Sequence, residues 1–105
     1  MNMLDYQKYA RTFANYSNPV YAVLGLSGES GEVAEKYKKM IRDNNGVITE
    51  EFKKQITLEL GDVLWYISNI AQDLDIRLDD IAQANIDKLT DRKMRGVING
   101  SGDNR

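Results

Sequence analysis

The strongest helical signal in this chain of 105 residues lies at positions 49–74, which read TEEFKKQITLELGDVLWYISNIAQDL. Thr49, followed by Glu50 and Glu51, is a typical helix N-cap with acidic residues in the first turn, where they favour the helix dipole. Apolar residues then recur every three or four positions, which is the period of a helix that buries one face. The segment therefore predicts one long helix with the apolar positions Phe52, Ile56, Leu60, Val63, Ile67, Ile70 and Leu74.

The same period appears on both sides of this segment. It predicts further helices at about residues 4–16, 19–42 and 78–95, with short polar links between them. The last residues, 96–105, are too rich in glycine to be helical. We therefore predict an all-α, four-helix bundle-like domain over residues 1–95, followed by a glycine-rich C-terminal tail.

The composition excludes several kinds of chemistry. The chain contains no cysteine, which excludes disulfides, zinc–thiolate sites and cysteine nucleophiles. It contains no histidine, which excludes imidazole bases, Ser-His-Asp triads and the Glu-x-x-His sites of di-iron bundles. The net charge is −2, so we expect no nucleic-acid partner. There is no signal-peptide pattern and no apolar run of about 18 residues, so we expect a cytoplasmic protein without a membrane partner.

Two acidic pairs with equal spacing, Glu29 with Glu32 and Glu59 with Asp62, lie in the second and third predicted helices. Residues three apart are neighbours on a helix, so each pair directs two carboxylates to one place. Four carboxylates that meet between packed helices need a cation to neutralise them. Oxygen ligands favour Mg²⁺, with Mn²⁺ as a substitute, and magnesium sites of this kind commonly serve phosphate chemistry.

An ordinary solvated face is the alternative interpretation of these acids. Glu59 argues against it, because this residue lies between Ile56 and Val63 on the apolar stripe. Gly28 and Gly31 flank the first acidic pair, and we expect them to allow a close approach of two helices. Under the alternative, the acids would pair with nearby lysines: Lys36, Lys38, Lys39, Lys53 and Lys54.

Candidate substrate contacts lie on the third and fourth helices. Lys88 and Arg92 are four apart and share a face, with Asn85 one turn earlier, so they could contact phosphate. An equally good interpretation is that the two cations are solvated and serve only to stabilise the dipole at the C-terminal end of the helix. Trp65 is a candidate for stacking on a nucleobase, although an aromatic residue inside a helix is more often part of the core. Tyr16, Tyr21 and Tyr37 are weaker candidates of the same kind.

The residues GESGEVAE at 28–35, followed by ELGDVLWY at 59–66, resemble the MazG-like nucleoside triphosphate pyrophosphohydrolases. The signature of that all-α family is Glu-x-x-Glu, a spacer, and then Glu-x-x-Asp. The resemblance continues to GSGDNR at 100–105, which looks like the ending of the compact phage- and cassette-type members. One departure is Gly28, where many members carry a further glutamate.

The resemblance implies Mg²⁺-dependent hydrolysis of (deoxy)nucleoside triphosphates between the α and β phosphates, with pyrophosphate and a nucleoside monophosphate as products. It further implies removal of unwanted nucleotides from the pool, and assembly as a homo-oligomeric dimer or tetramer with sites near the subunit contacts. The family pattern assigns metal binding and catalysis to Glu29, Glu32, Glu59 and Asp62, and phosphate binding to Asn85, Lys88 and Arg92.

Two other classes of function stay open at this point. A non-enzymatic helical interaction module would use the acids for salt bridges only, and Mg²⁺ would then leave its melting temperature unchanged. A nucleotide-binding sensor would bind triphosphate and metal without releasing pyrophosphate.

Overall fold

The computed structural model of the chain describes residues 1–102 and is all-α in that range, which confirms the predicted fold class. Its four helices, as predicted, are α1 (Met3–Thr12), α2 (Val20–Asn44), α3 (Glu50–Asp73) and α4 (Leu78–Arg95). None of them is both long and apolar enough to cross a bilayer, as far as the described residues go. The end of the predicted tail, residues 103–105, lies outside the described residues.

Local capping explains where most of the helices begin and end. The hydroxyl of Thr49 accepts a hydrogen bond from the amide of Phe52 at 3.1 Å, as an N-cap does. Asn45 and Gly96 adopt the left-handed conformation, with φ of 53° and 73°, and close α2 and α4. The first helix is shorter than predicted: it ends at Thr12 and not near Tyr16.

The main packing unit is the antiparallel pair α2 and α3. Near their connection, the rings of Tyr37 and Phe52 meet edge to face at 5.0 Å. Helix α1 packs on α3, where the indole nitrogen of Trp65 donates to the carbonyl oxygen of Ala10 at 3.1 Å. Helix α4 packs chiefly on α1 rather than on the α2–α3 pair. The buried apolar side chains are few and mostly small: Ala10, Ala22, Phe52, Ala71 and Leu78.

A buried glutamine joins α1 to the start of α4. The side chain of Gln7 donates to the carbonyl oxygen of Ile76 at 2.8 Å and accepts from the amide of Leu78 at 2.9 Å. Arg77, the N-cap of α4, makes no capping hydrogen bond through its side chain. Gln7 therefore satisfies an amide at the helix end that would otherwise lack a partner.

The single chain is open for its size. Its radius of gyration is 16.6 Å, against about 13 Å for a compact domain of this length. Its accessible surface is 7725 Å², against roughly 6,000 Å² for a compact monomer of this mass. Five large apolar residues of α2 are at least 43% exposed in this chain and do not join its core: Val20, Val23, Leu24, Tyr37 and Ile41.

Candidate metal centre

Three of the four predicted metal ligands converge between α2 and α3. Glu29, Glu59 and Asp62 each offer one carboxylate oxygen, and these oxygens all lie within 4.8 Å of one another. Glu29 and Glu59 are half-buried, whereas Asp62 is exposed. Opposite ligands of a magnesium ion are about 4.2 Å apart, since Mg–O distances are near 2.1 Å. The three oxygens thus approach the spacing of one coordination sphere.

Electrostatics favours a cation at this cluster. The pKa of Glu29 is raised, first by burial and then by the negative charges of Asp62, Glu59 and Glu32. None of the ion pairs found among the described residues includes Glu29, Glu59 or Asp62. A carboxylate-only donor set suits a hard divalent cation, so these residues fit Mg²⁺.

The fourth predicted ligand, Glu32, is exposed and lies one turn further along α2. Its charge acts on Glu29, but Glu32 is not among the three residues whose oxygens converge. The expectation that Gly28 and Gly31 allow a close approach of two helices is wrong within one chain. A Cβ atom added at Gly28 or Gly31 would meet nothing within 4 Å, because both residues lie on the exposed side of α2.

The predicted phosphate contacts on α4 lie apart from the carboxylates within one chain. Asn85 and Lys88 are exposed and line a shallow depression on α4 together with Ile81. Arg92 is buried, and its guanidinium donates to the carbonyl oxygen of Gly102 at 3.4 Å. Since α4 packs mainly on α1, the fold does not direct these side chains toward the α2–α3 cluster of the same chain.

Trp65 serves chiefly as an anchor for α1. Its indole nitrogen is occupied by the carbonyl oxygen of Ala10, and its ring meets that of Tyr66 edge to face at 5.0 Å. Tyr21 is half exposed and stacks on Tyr16, with ring centroids 5.1 Å apart. Tyr21 therefore offers more of its ring to a ligand than Trp65 does.

Tyr66 lies close enough to the carboxylates for the charges of Glu29 and Asp62 to act on its hydroxyl. Its pKa is raised by burial, then by a hydrogen bond with Tyr21 and the charge of that residue, and then by the charges of Glu29 and Asp62. The ring packs against Gly25 on α2. Gly25 was not among the predicted site residues, and Tyr66 was considered only as an aromatic neighbour of Trp65. The spacing contains the signal, because Gly25 lies four residues before Glu29 and Tyr66 lies four residues after Asp62.

Comparison with known proteins identifies the family to which the acidic cluster and α4 belong. The family model for the MazG nucleotide pyrophosphohydrolase domain matches residues 19–96, which include all the acidic residues of the cluster and the whole of α4. The Gene 37 protein of Mycobacterium phage L5 is 53% identical over 85 residues, covering 81% of this chain and 75% of that protein. No solved structure shows a significant match. The chain belongs to the MazG nucleotide pyrophosphohydrolase family.

Proposed function

We propose that the protein hydrolyses nucleoside or deoxynucleoside triphosphates between the α and β phosphates, releasing pyrophosphate in a reaction that depends on Mg²⁺. The observation that carries this proposal is the convergence of Glu29, Glu59 and Asp62 in a chain of the MazG family. Oxygen-only ligands suit a metal that binds a triphosphate substrate at the same time.

In this proposal Glu29, Glu59 and Asp62 hold the metal, and Glu32 completes the acidic set from one turn away. A bound Mg²⁺ would polarise the phosphate oxygens and lower the pKa of a coordinated water molecule. The carboxylates also provide the acceptor for the proton that the attacking water must lose. Glu32 is exposed and lies outside the convergent three, so it is available for this role.

We further propose that the protein acts as a homo-oligomer, a dimer or a tetramer. The open shape of the single chain and the exposed leucines on its two long helices support this proposal. Assembly would also allow Asn85, Lys88 and Arg92 of one copy to approach the carboxylates of another. Lys88, which is exposed, would then neutralise the triphosphate, whereas the buried Arg92 would first have to leave its hydrogen bond to Gly102. Tyr21 or Trp65 would contact the base. The biological setting that we propose is cytoplasmic removal of noncanonical or surplus nucleotides.

The test is pyrophosphate release from a panel of canonical and modified triphosphates, with and without Mg²⁺, by the native chain and by two variants. Glu59→Gln removes a charge from the cluster. Glu35→Gln is the matched control, because Glu35 is an exposed acid of α2 that pairs with Lys38 at 2.9 Å. We expect metal-dependent release by the native chain and by Glu35→Gln, and none by Glu59→Gln. If the folded native protein releases pyrophosphate from no triphosphate, the proposed activity is wrong.

A further inference from the structure

Helix α2 approaches an aromatic ring of α3 closely at Gly25. A Cβ atom built on Gly25 would lie 2.6 Å from Cδ1 of Tyr66, and closer still to Cε1 and Cζ. By contrast, a Cβ atom at Gly28, Gly31 or Gly61 would meet nothing within 4 Å. Glycine is a poor helix former, and among these helical glycines only Gly25 is explained by a neighbouring ring.

Two other aromatic rings lie beside the ring of Tyr66. The edge of Trp65 meets it on α3 at 5.0 Å, and the ring of Tyr21 lies 6.4 Å away on α2. Trp65 is itself tied to α1 through its hydrogen bond to Ala10. A methyl group at position 25 would therefore displace the Tyr66 ring, helix α2 or both.

This contact lies one helical turn from the carboxylate cluster on both helices. Gly25 precedes Glu29 by four residues, and Tyr66 follows Asp62 by four residues. One metal ligand comes from α2 and two come from α3, so the separation of the two helices sets the distance from Glu29 to Glu59 and Asp62. Magnesium requires oxygen ligands at 2.0–2.1 Å in nearly ideal octahedral geometry, and it tolerates little displacement of one ligand.

We propose that Gly25 and Tyr66 are positioning residues that set the separation of α2 and α3 at the metal centre and thereby the affinity of the carboxylates for the metal. This inference rests on the proposed function, because it assumes that Glu29, Glu59 and Asp62 bind a divalent cation. The contact between the glycine backbone and the ring performs the positioning, and the phenol hydroxyl is not required for it.

The test measures Mn²⁺ binding to the full-length chain by the loss of the free-ion EPR signal. The variants are Gly25→Ala, Gly28→Ala, Tyr66→Leu and the double variant Gly25→Ala/Tyr66→Leu. Gly28→Ala is the matched control, because it adds the same methyl group to the same helix in open space. We expect Gly25→Ala to weaken Mn²⁺ binding at least tenfold and Gly28→Ala to change it less than twofold. In the double variant, leucine removes the ring atoms that clash with the new methyl group, so binding should be stronger than in Gly25→Ala and within about threefold of that in Tyr66→Leu.

Equal Mn²⁺ affinity of Gly25→Ala and Gly28→Ala would overturn the inference and leave the proposed function intact. Absence of Mn²⁺ binding by the native chain would instead overturn the proposed function, and this inference with it. If Gly25→Ala does not fold, the comparison of Tyr66→Phe with Tyr66→Leu decides the matter. Phenylalanine keeps the ring and should keep the affinity, whereas leucine should lower it, and equal affinities of these two variants would overturn the inference.

Discussion

The guanidinium of Arg11 donates a hydrogen bond to the carboxylate of Asp73 at 2.7 Å and joins α1 to the last turn of α3. The hydroxyl of Tyr16 donates to the other oxygen of the same carboxylate, also at 2.7 Å. The Asp73 side chain is only 8% exposed. In a fold with so few large buried side chains, this polar cluster holds the N-terminal helix and the segment after it against α3.

Asp73 should contribute to stability in a pH-dependent way. Burial raises its pKa, but hydrogen bonds from Tyr16 and Arg11 outweigh burial and hold the pKa below its ordinary value. A lowered carboxyl pKa stabilises the fold above the unfolded-state pKa of about 3.9, and this stabilisation is lost as the pH falls through the folded-state pKa. We expect Asp73→Asn to cost about 1–3 kcal/mol at pH 7, because a charged acceptor is lost from a buried site.

The measurement is thermal unfolding of the native chain and Asp73→Asn between pH 7 and pH 3. The difference in melting temperature should narrow below about pH 4, where the native carboxylate also becomes protonated. Asp91→Asn is the control, because Asp91 pairs with Arg95 on the surface of α4 at 2.9 Å and should matter little. A difference for Asp73→Asn that stays constant over this pH range would contradict the prediction.

Gln7 should be essential for docking the start of α4. Gln7→Ala leaves the amide of Leu78 and the carbonyl group of Ile76 without their side-chain partners. We expect a loss of about 1–3 kcal/mol and faster hydrogen exchange at the Leu78 amide. Gln72→Ala, at an exposed position of α3, is the matched control and should leave both quantities nearly unchanged. Unchanged protection of the Leu78 amide in Gln7→Ala would show that the glutamine does not cap α4.

Local features explain which parts of the fold were predictable. The caps at Thr49 and Gly96 depend on neighbouring residues only, so sequence reasoning placed the limits of α3 and α4 well. The end of α1 depends on a distant residue. Tyr16 leaves the helical path and bonds Asp73, which lies 57 residues away. Helical periodicity near Tyr16 contains no information about that partner.

In the candidate site, too, the features that depend on neighbouring residues were predictable and those that depend on distant contacts were not. Spacing within a helix places Glu59 and Asp62 together, and the packing of α2 on α3 brings Glu29 to them. The position of α4 depends on how it packs against α1, which no local pattern specifies. For that reason the sequence could suggest a phosphate-binding face around Lys88 but could not show that this face lies apart from the carboxylates in a single chain.

Assembly should depend on the exposed apolar surface of α2. Leu24 is 67% exposed in the single chain, so Leu24→Glu should leave a monomer folded but should disrupt an interface that covers this face. In size-exclusion chromatography with light scattering, we expect the native protein, of 12.0 kDa per chain, to have the mass of a dimer or tetramer. Leu24→Glu should shift the measured mass toward that of a monomer. Lys54→Glu, at an exposed position on α3, is a control for added negative charge. A native mass equal to that of one chain would contradict the prediction.

Removal of the Asp62 carboxylate should raise the melting temperature of the metal-free protein but lower that of the protein with bound metal. Without metal, the pKa of Glu29 is raised first by burial and then by the charge of Asp62, and this repulsion between carboxylates opposes folding at neutral pH. We therefore expect Asp62→Asn to raise the melting temperature of the metal-free protein. With Mg²⁺ at about 100 times its dissociation constant, the native chain should gain about 2.7 kcal/mol, because the ion binds the folded state.

Asp62→Asn lacks one of the three converging ligands and should gain much less, so the order of the two melting temperatures should invert when Mg²⁺ is added. Glu35→Gln should follow the native chain in both conditions, because Glu35 pairs with Lys38 and is not one of the converging acids. The measurement is a melting curve of each protein in EDTA and in a series of Mg²⁺ concentrations. An equal rise of the melting temperature in all three proteins would indicate nonspecific stabilisation by salt and would contradict a metal site built on Asp62.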